Sequence, residues 1–134
     1  MTPQVHHLGV GIDRDWRSVY AFASSPENMP RWATGLGTAP RRAGDAWEFD
    51  GPDGPVRVRF APRNGFGVLD HYVTVARGTE VYVPMRVIAV GAGCEAVFTL
   101  IRLPGMTDET FEADAEWVRR DLAKLKELME RAGR

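Results

Sequence analysis

Among the side chains of this sequence that can do chemistry, His71 is the one that the hydrophobic pattern turns inward. Leu69, His71, Val73 and Val75 alternate with Asp70, Tyr72 and Thr74, and a strand sends alternate residues to opposite faces. An imidazole titrates near neutrality. Set in an apolar wall it can act as a general base or acid, or it can be a buried core residue with one satisfied hydrogen bond. Asp70 does not complete a catalytic dyad with it, because neighbours on a strand leave on opposite sides. The expected partner of Asp70 is Arg86, diagonally across the next hairpin, in an outer-face ion pair contributing about 0–1 kcal/mol.

Other constellations carry less. His6-His7 sends its two rings apart and has no Cys or acidic residue at ligand spacing nearby, so no metal site is read there. Gly91-Ala92-Gly93-Cys94-Glu95-Ala96 matches the dinucleotide pattern GxGxxA, which works only where it opens a helix that holds a pyrophosphate. Here it leads into VFTLIRL, which reads as a strand, so the match is rejected. Cys94 is placed in a turn with no basic neighbour to lower its pKa. Ser18, Ser24 and Ser25 stand in no nucleophile motif. No cofactor is implied.

The bulk properties bound the function further. The 134 residues form one expected domain over 1–134, with 44% hydrophobic and 26% charged residues. Seventeen basic residues against 18 acidic ones give a net charge of −1, no basis for a broad affinity for nucleic acid or anionic lipid. The lone Cys94 excludes an internal disulfide and fits a reducing compartment. The first residues lack the pattern of a signal peptide, and no run approaches the roughly 18 apolar residues of a membrane span. A cytoplasmic location is expected.

The elements that must position His71 can be read in order. Residues 5–12 alternate as a strand, and Asp13 or Asp15 can cap a helix with Val19, Tyr20, Phe22 and Ala23 on its apolar face. Ser25-Pro26 ends that helix and starts a brief second one, with Pro30 inside it and Trp32 at its far end. Residues 38–44 read as a polar connection. A hairpin turning on Gly51-Pro52-Asp53-Gly54, with Phe49 opposite Val56, puts Trp47, Phe49, Val56, Val58 and Phe60 on one face. The next hairpin turns on Ala76-Arg77-Gly78. Arg fits the positive φ of a type I′ turn poorly, so a three-residue loop with Gly78 left-handed is expected. That register joins His71 and Val73 to Val81, Val83, Met85 and Val87; a slip of one residue would reverse one strand. A four-residue turn over 91–94 leads into a last strand with Ala96, Phe98 and Leu100 inward. Thr107 caps a final helix whose stripe is Phe111, Ala115, Val118, Leu122, Leu125 and Met129.

The order strand, two short helices, strand meander and long C-terminal helix carries a resemblance. Val19-Tyr20-x-Phe22, Pro26-Glu27-Asn28 and Trp32 near the start, with Trp117-Val118-x-x-Asp121-Leu122-x-x-Leu125-Lys126 at the end, resemble the SRPBCC superfamily. That superfamily includes START-like lipid carriers and polyketide cyclase/dehydrase-type proteins. The resemblance covers nearly the whole chain, and its N-terminal segment is the most specific part. It implies an α+β helix-grip fold, a curved antiparallel β-sheet wrapped around a long C-terminal α-helix with a ligand cavity between them. It does not imply a particular reaction.

The residues expected to line the cavity are Trp32, Trp47, Phe49, Val58, His71, Val83, Met85, Phe98, Val118 and Leu122, with Trp32 at the mouth. The expected function is binding of a small hydrophobic molecule, aromatic, lipid-like or polyketide-like. One alternative is a cyclase/dehydrase-type enzyme in which His71 transfers protons. Another is an interaction module without a ligand, a homodimer burying an outer strip of Ile88, Val97, Ile101 and Leu103.

Overall fold

Proline and a single aspartate shape the N-terminal unit. The computed structural model describes residues 2–75 and 78–133. Strand β1 (Val5–Ile12) leads into helix α1 (Trp16–Ala23), a 3₁₀ turn at Pro26–Asn28 and helix α2 (Met29–Trp32). Asp15 is the cap of α1, its carboxylate accepting from the Ser18 N–H at 3.0 Å. Pro26 and Pro30 stand at the starts of the 3₁₀ turn and α2, where a missing N–H costs no internal bond. Ser25 does not cap the turn; its hydroxyl donates back to the Ala21 carbonyl at 2.8 Å.

The meander continues as β2 (Arg41–Ala43), β3 (Ala46–Gly51), β4 (Gly54–Phe60), β5 (His71–Thr74), β6 (Glu80–Val83), β7 (Met85–Val90) and β8 (Gly93–Ile101). Its antiparallel neighbours run β2-β3-β4-β5-β6 and β1-β8-β7. The division falls at Pro84, which has no N–H for the ladder, although its carbonyl still accepts from Thr99 at 2.9 Å. One run of chain, β6 and β7, therefore serves both sheets and bends between them. The segment before β5 stitches the bend, with the Leu69 N–H donating to Met85 at 3.0 Å and the Val87 N–H donating to Gly67 at 2.9 Å. Gly67 has φ +72°, and a Cβ there would lie 2.2 Å from the Val87 carbonyl oxygen.

Registers decide what faces inward. Phe49 pairs with Val56, and His71 with Val83, as alternation required. The β5–β6 register is that of the three-residue loop, and Gly78 takes a positive φ of 80°; Ala76 and Arg77 lie outside the described residues. Two expectations need correction. Val90 pairs with Gly93, so Gly91-Ala92 alone turn the chain and Cys94 is a buried member of β8, opposite Ala89. A slip of two residues preserves facing, which is why Ala96 still points into the core. Residues 41–43 are a strand rather than a connection, held to β3 by Arg41, whose guanidinium reaches Glu48 at 3.2 Å and Asp50 at 3.1 Å.

Helix α3 (Asp108–Ala132) closes the fold. The Thr107 hydroxyl accepts from the Thr110 N–H at 3.1 Å, and Asp108 and Glu109 favour the positive end of the helix dipole. Phe111, Ala115, Val118, Leu122, Leu125 and Met129 are all buried, against β1 and α2 among others. The architecture is an α+β helix grip: a curved antiparallel sheet around one long helix, with two short helices after the first strand.

Candidate ligand site

The inward face of the sheet does not close completely on α3. A cavity of about 170 Å³ remains between them. Val56 and Val58 of β4, His71 and Val73 of β5, Val83 of β6 and Phe98 of β8 form its sheet wall. Val118, Asp121 and Leu122 of α3 face them, one helical turn of the apolar stripe. Met29 and Trp32 of α2, with Ala33 and Leu36 just beyond, form the end wall. The wall is almost wholly apolar, and three of its side chains carry polar groups.

His71 is 3% exposed, the only buried polar or charged residue among those described. Its Nδ1 lies 2.9 Å from the Leu69 carbonyl oxygen. A carbonyl can only accept, so Nδ1 carries the proton and the neutral ring leaves Nε2 with a bare lone pair. Nε2 has no hydrogen-bond partner among the described residues. Burial holds the imidazole pKa below its ordinary 6.5, outweighing the Leu69 bond and the charge of Asp70. Phe60 and Phe98 flank the ring, at 5.4 Å and 6.5 Å between centroids.

Trp32 is 2% exposed, and its indole N–H is buried without a hydrogen-bond partner among the described residues. Such orphaned donors are rare in native proteins. Asp121 is half-buried in the α3 part of the wall. It accepts from the Thr34 hydroxyl at 2.6 Å and the Thr34 N–H at 3.2 Å, and burial pushes its carboxyl pKa up. Trp117 donates from Nε1 to the Thr34 carbonyl at 3.2 Å, and the Gly37 N–H donates to Asp50 of β3 at 2.6 Å. The loop after α2, which carries Ala33 and Leu36 of the wall, is thus clasped between α3 and β3.

Seven of the expected lining residues meet here: Trp32, Val58, His71, Val83, Phe98, Val118 and Leu122. Phe49 and Met85 do not line the cavity; both are wholly buried in packed core with no free surface to offer it. Trp47 is also outside, half-buried with Arg42 over its ring at 5.4 Å. Trp32 is a buried wall residue, 2% exposed, which does not fit a place at the mouth; Trp117 is half-exposed and lies outside the lining. Val56 and Val73 were readable from the strand faces. Met29, Ala33 and Leu36 were not, because a four-residue helix is too short to show a period. Asp121 sits at the border of the α3 stripe, three residues after Val118, where the helical spacing could have placed it.

The other sequence candidates lie away from the cavity. Arg86 grips Asp70 with two bonds, Nε to Oδ1 at 3.0 Å and Nη2 to Oδ2 at 2.9 Å. The Tyr82 hydroxyl and the Met85 N–H donate to the same carboxylate, at 3.1 Å and 2.9 Å. Arg86 above all holds the Asp70 pKa below the usual carboxylate range. His6 stacks on Phe111 at 4.6 Å and reaches Glu112 at 3.1 Å, while His7 on the opposite face of β1 meets Thr99 at 3.0 Å. Burial raises the Cys94 thiol pKa. On the outer face of β1-β8-β7, Ile88 is 50% exposed and is joined by exposed Val5 and Val90, with Val97 and Ile101 half-buried.

No protein-family model and no curated protein matches the sequence. Solved structures do match. A START superfamily protein from Mycobacterium smegmatis superposes with a TM-score of 0.74, over 96% of this chain and 98% of that one, at 11% identity. This chain shares the fold of that START superfamily protein. The Aha1 dimer from Colwellia psychrerythraea shares this START-like fold at a TM-score of 0.72, with 16% identity over 95% of this chain and 96% of that one. DynU16, from the dynemicin biosynthetic locus, gives 0.68 and 18% identity over 94% of this chain, which spans 47% of that longer protein. At these identities the likeness is one of fold. No helix among the described residues is long and apolar enough to cross a membrane.

Proposed function

We propose that this START-like domain binds a small hydrophobic molecule in the cavity between the sheet and α3. The observation that carries this reading is the wall itself. A sheet and helix that pack well elsewhere leave about 170 Å³ unfilled at one place, bordered by Val58, Val73, Val83 and Leu122. Native interiors have few voids larger than a water molecule, and an empty apolar cavity sacrifices dispersion contacts that a ligand restores. The volume favours an occupant of about one ring, since an apolar cavity of about 150 Å³ takes up benzene. A lipid-like or polyketide-like chain would have to extend past Ala33 and Leu36 into solvent.

Native mass spectrometry of the purified protein, intact and then denatured, tests this, together with thermal unfolding in the presence of single-ring compounds. A retained small molecule, or a saturable one-to-one rise in melting temperature, is the expected result. An empty protein that no such compound stabilises at millimolar concentration would overturn the reading. The cyclase/dehydrase-type alternative would draw on His71 Nε2 as a proton acceptor. Burial lowers the basicity of that imidazole, which favours the neutral form that accepts a hydrogen bond.

A second reading rests on a separate observation. On the outer face of the three-stranded sheet Ile88 and Val90 are exposed at one end and Val5 beside Ile101 at the other, with Val97 between them, and such a face suits a second copy of the chain. Light scattering after size exclusion is expected to give a dimer mass that Ile88→Glu converts to monomer. A monomer mass at the highest accessible concentration would remove this reading.

A further inference from the structure

Two polar atoms in the cavity wall lack partners, and they are complementary in kind. The Trp32 indole N–H is a donor with nothing to donate to among the described residues. His71, fixed by its bond to the Leu69 carbonyl at 2.9 Å, presents Nε2 as an acceptor. Both residues border the same cavity of about 170 Å³, so a ring-sized occupant has both side chains in its wall. No Lys or Arg lines the cavity, and the one charged group, Asp121, is acidic and already committed to Thr34. An anionic ligand would therefore lose its hydration and meet a like charge.

We infer, resting on the binding reading above, that the ligand is a neutral, ring-sized molecule bearing a hydroxyl group. Its oxygen accepts from Trp32 Nε1 and its hydrogen is donated to His71 Nε2. A phenol or an alicyclic alcohol has this chemistry. A plain hydrocarbon leaves both wall atoms unsatisfied, and an ether or ketone satisfies Trp32 alone.

Toluene, anisole, p-cresol and benzoate, four single-ring probes of similar size, separate these cases. The readout is titration of the ¹⁵N-labelled protein, with the indole N–H resonances assigned through bonds. p-Cresol and anisole are expected to move the Trp32 indole proton downfield, and toluene to leave it in place or move it upfield. Trp32→Phe is expected to weaken p-cresol and anisole by roughly five- to tenfold and to spare toluene. His71→Phe is expected to weaken p-cresol by a similar factor and to spare anisole. Benzoate is expected not to bind. If toluene binds while p-cresol leaves the indole proton unmoved, or keeps its affinity in both variants, the hydroxyl assignment falls and the binding function stands. If no probe binds, toluene included, the binding function itself falls. The indole shift in the unsubstituted protein decides the matter even where a variant does not fold.

Discussion

His71 and Asp70 are adjacent in the chain and opposite in role, and their titrations separate them. Burial depresses the His71 pKa below 6.5, so as the pH falls the unfolded chain takes up that proton first. The stability associated with a neutral His71 is therefore complete above about pH 6.5 and declines below it, by up to about 1.4 kcal/mol per pH unit until the folded-state pKa is reached. Urea unfolding at pH 7.5 and 5.5 is expected to show this decline, and His71→Phe to flatten it. Asp70 acts in a lower window. Its folded pKa is also depressed, in this case by Arg86, so its contribution is present above the ordinary carboxylate pKa of 3.8 and is lost as the pH falls through the folded value. Asp70→Ala strands the Met85 N–H and the Arg86 guanidinium, and is expected to cost about 1–3 kcal/mol at neutral pH. Because Asp70 points away from the cavity, p-cresol affinity per folded molecule is expected to stay unchanged, as calorimetry can check.

At the scale of elements, Gly67 is the position where one added carbon does most harm. Its left-handed backbone and the 2.2 Å approach to Val87 mean that Gly67→Ala must both strain φ and break the stitch across the bend. A loss of about 2–4 kcal/mol is expected from chemical denaturation. The reason this segment was illegible in the sequence also explains the other misses. Alternation announced β3, β4, β5 and β8, and the 3.6-residue period announced α3, because in each a buried face repeats along the element. β2 has no buried face to repeat; three residues are held as an edge by the ion pairs of Arg41. The end wall of the cavity comes from α2 and the residues after it, where four helical residues give no period. His71 could be placed inward by its strand, whereas the unpartnered N–H of Trp32 emerges only when the rest of the chain packs around it.

For the whole molecule, the cavity is a balance between the helix and the sheet that grips it. Leu122 is 2% exposed and forms part of the α3 wall. Leu122→Ala is expected to lower stability by about 2–5 kcal/mol, because the rigid stripe of α3 limits collapse into the space left behind. The same variant is expected to admit two-ring probes such as naphthol that the unsubstituted protein excludes, measured by thermal shift. Stability and ligand size thus move in opposite directions at this site.

The clasp on the loop after α2 is expected to govern the rate of ligand exchange rather than affinity. Thr34 is tied to Asp121 and Trp117, and Gly37 to Asp50. Bonds kept in the filled state would cancel from the equilibrium, and by having to break for a molecule to pass they would set a gate on exchange. Asp121→Ala would then quicken entry and escape alike. A domain built this way can hold a weakly bound passenger for longer than its dissociation constant alone would suggest, with residence tuned from the rim while selectivity is set deeper in the wall.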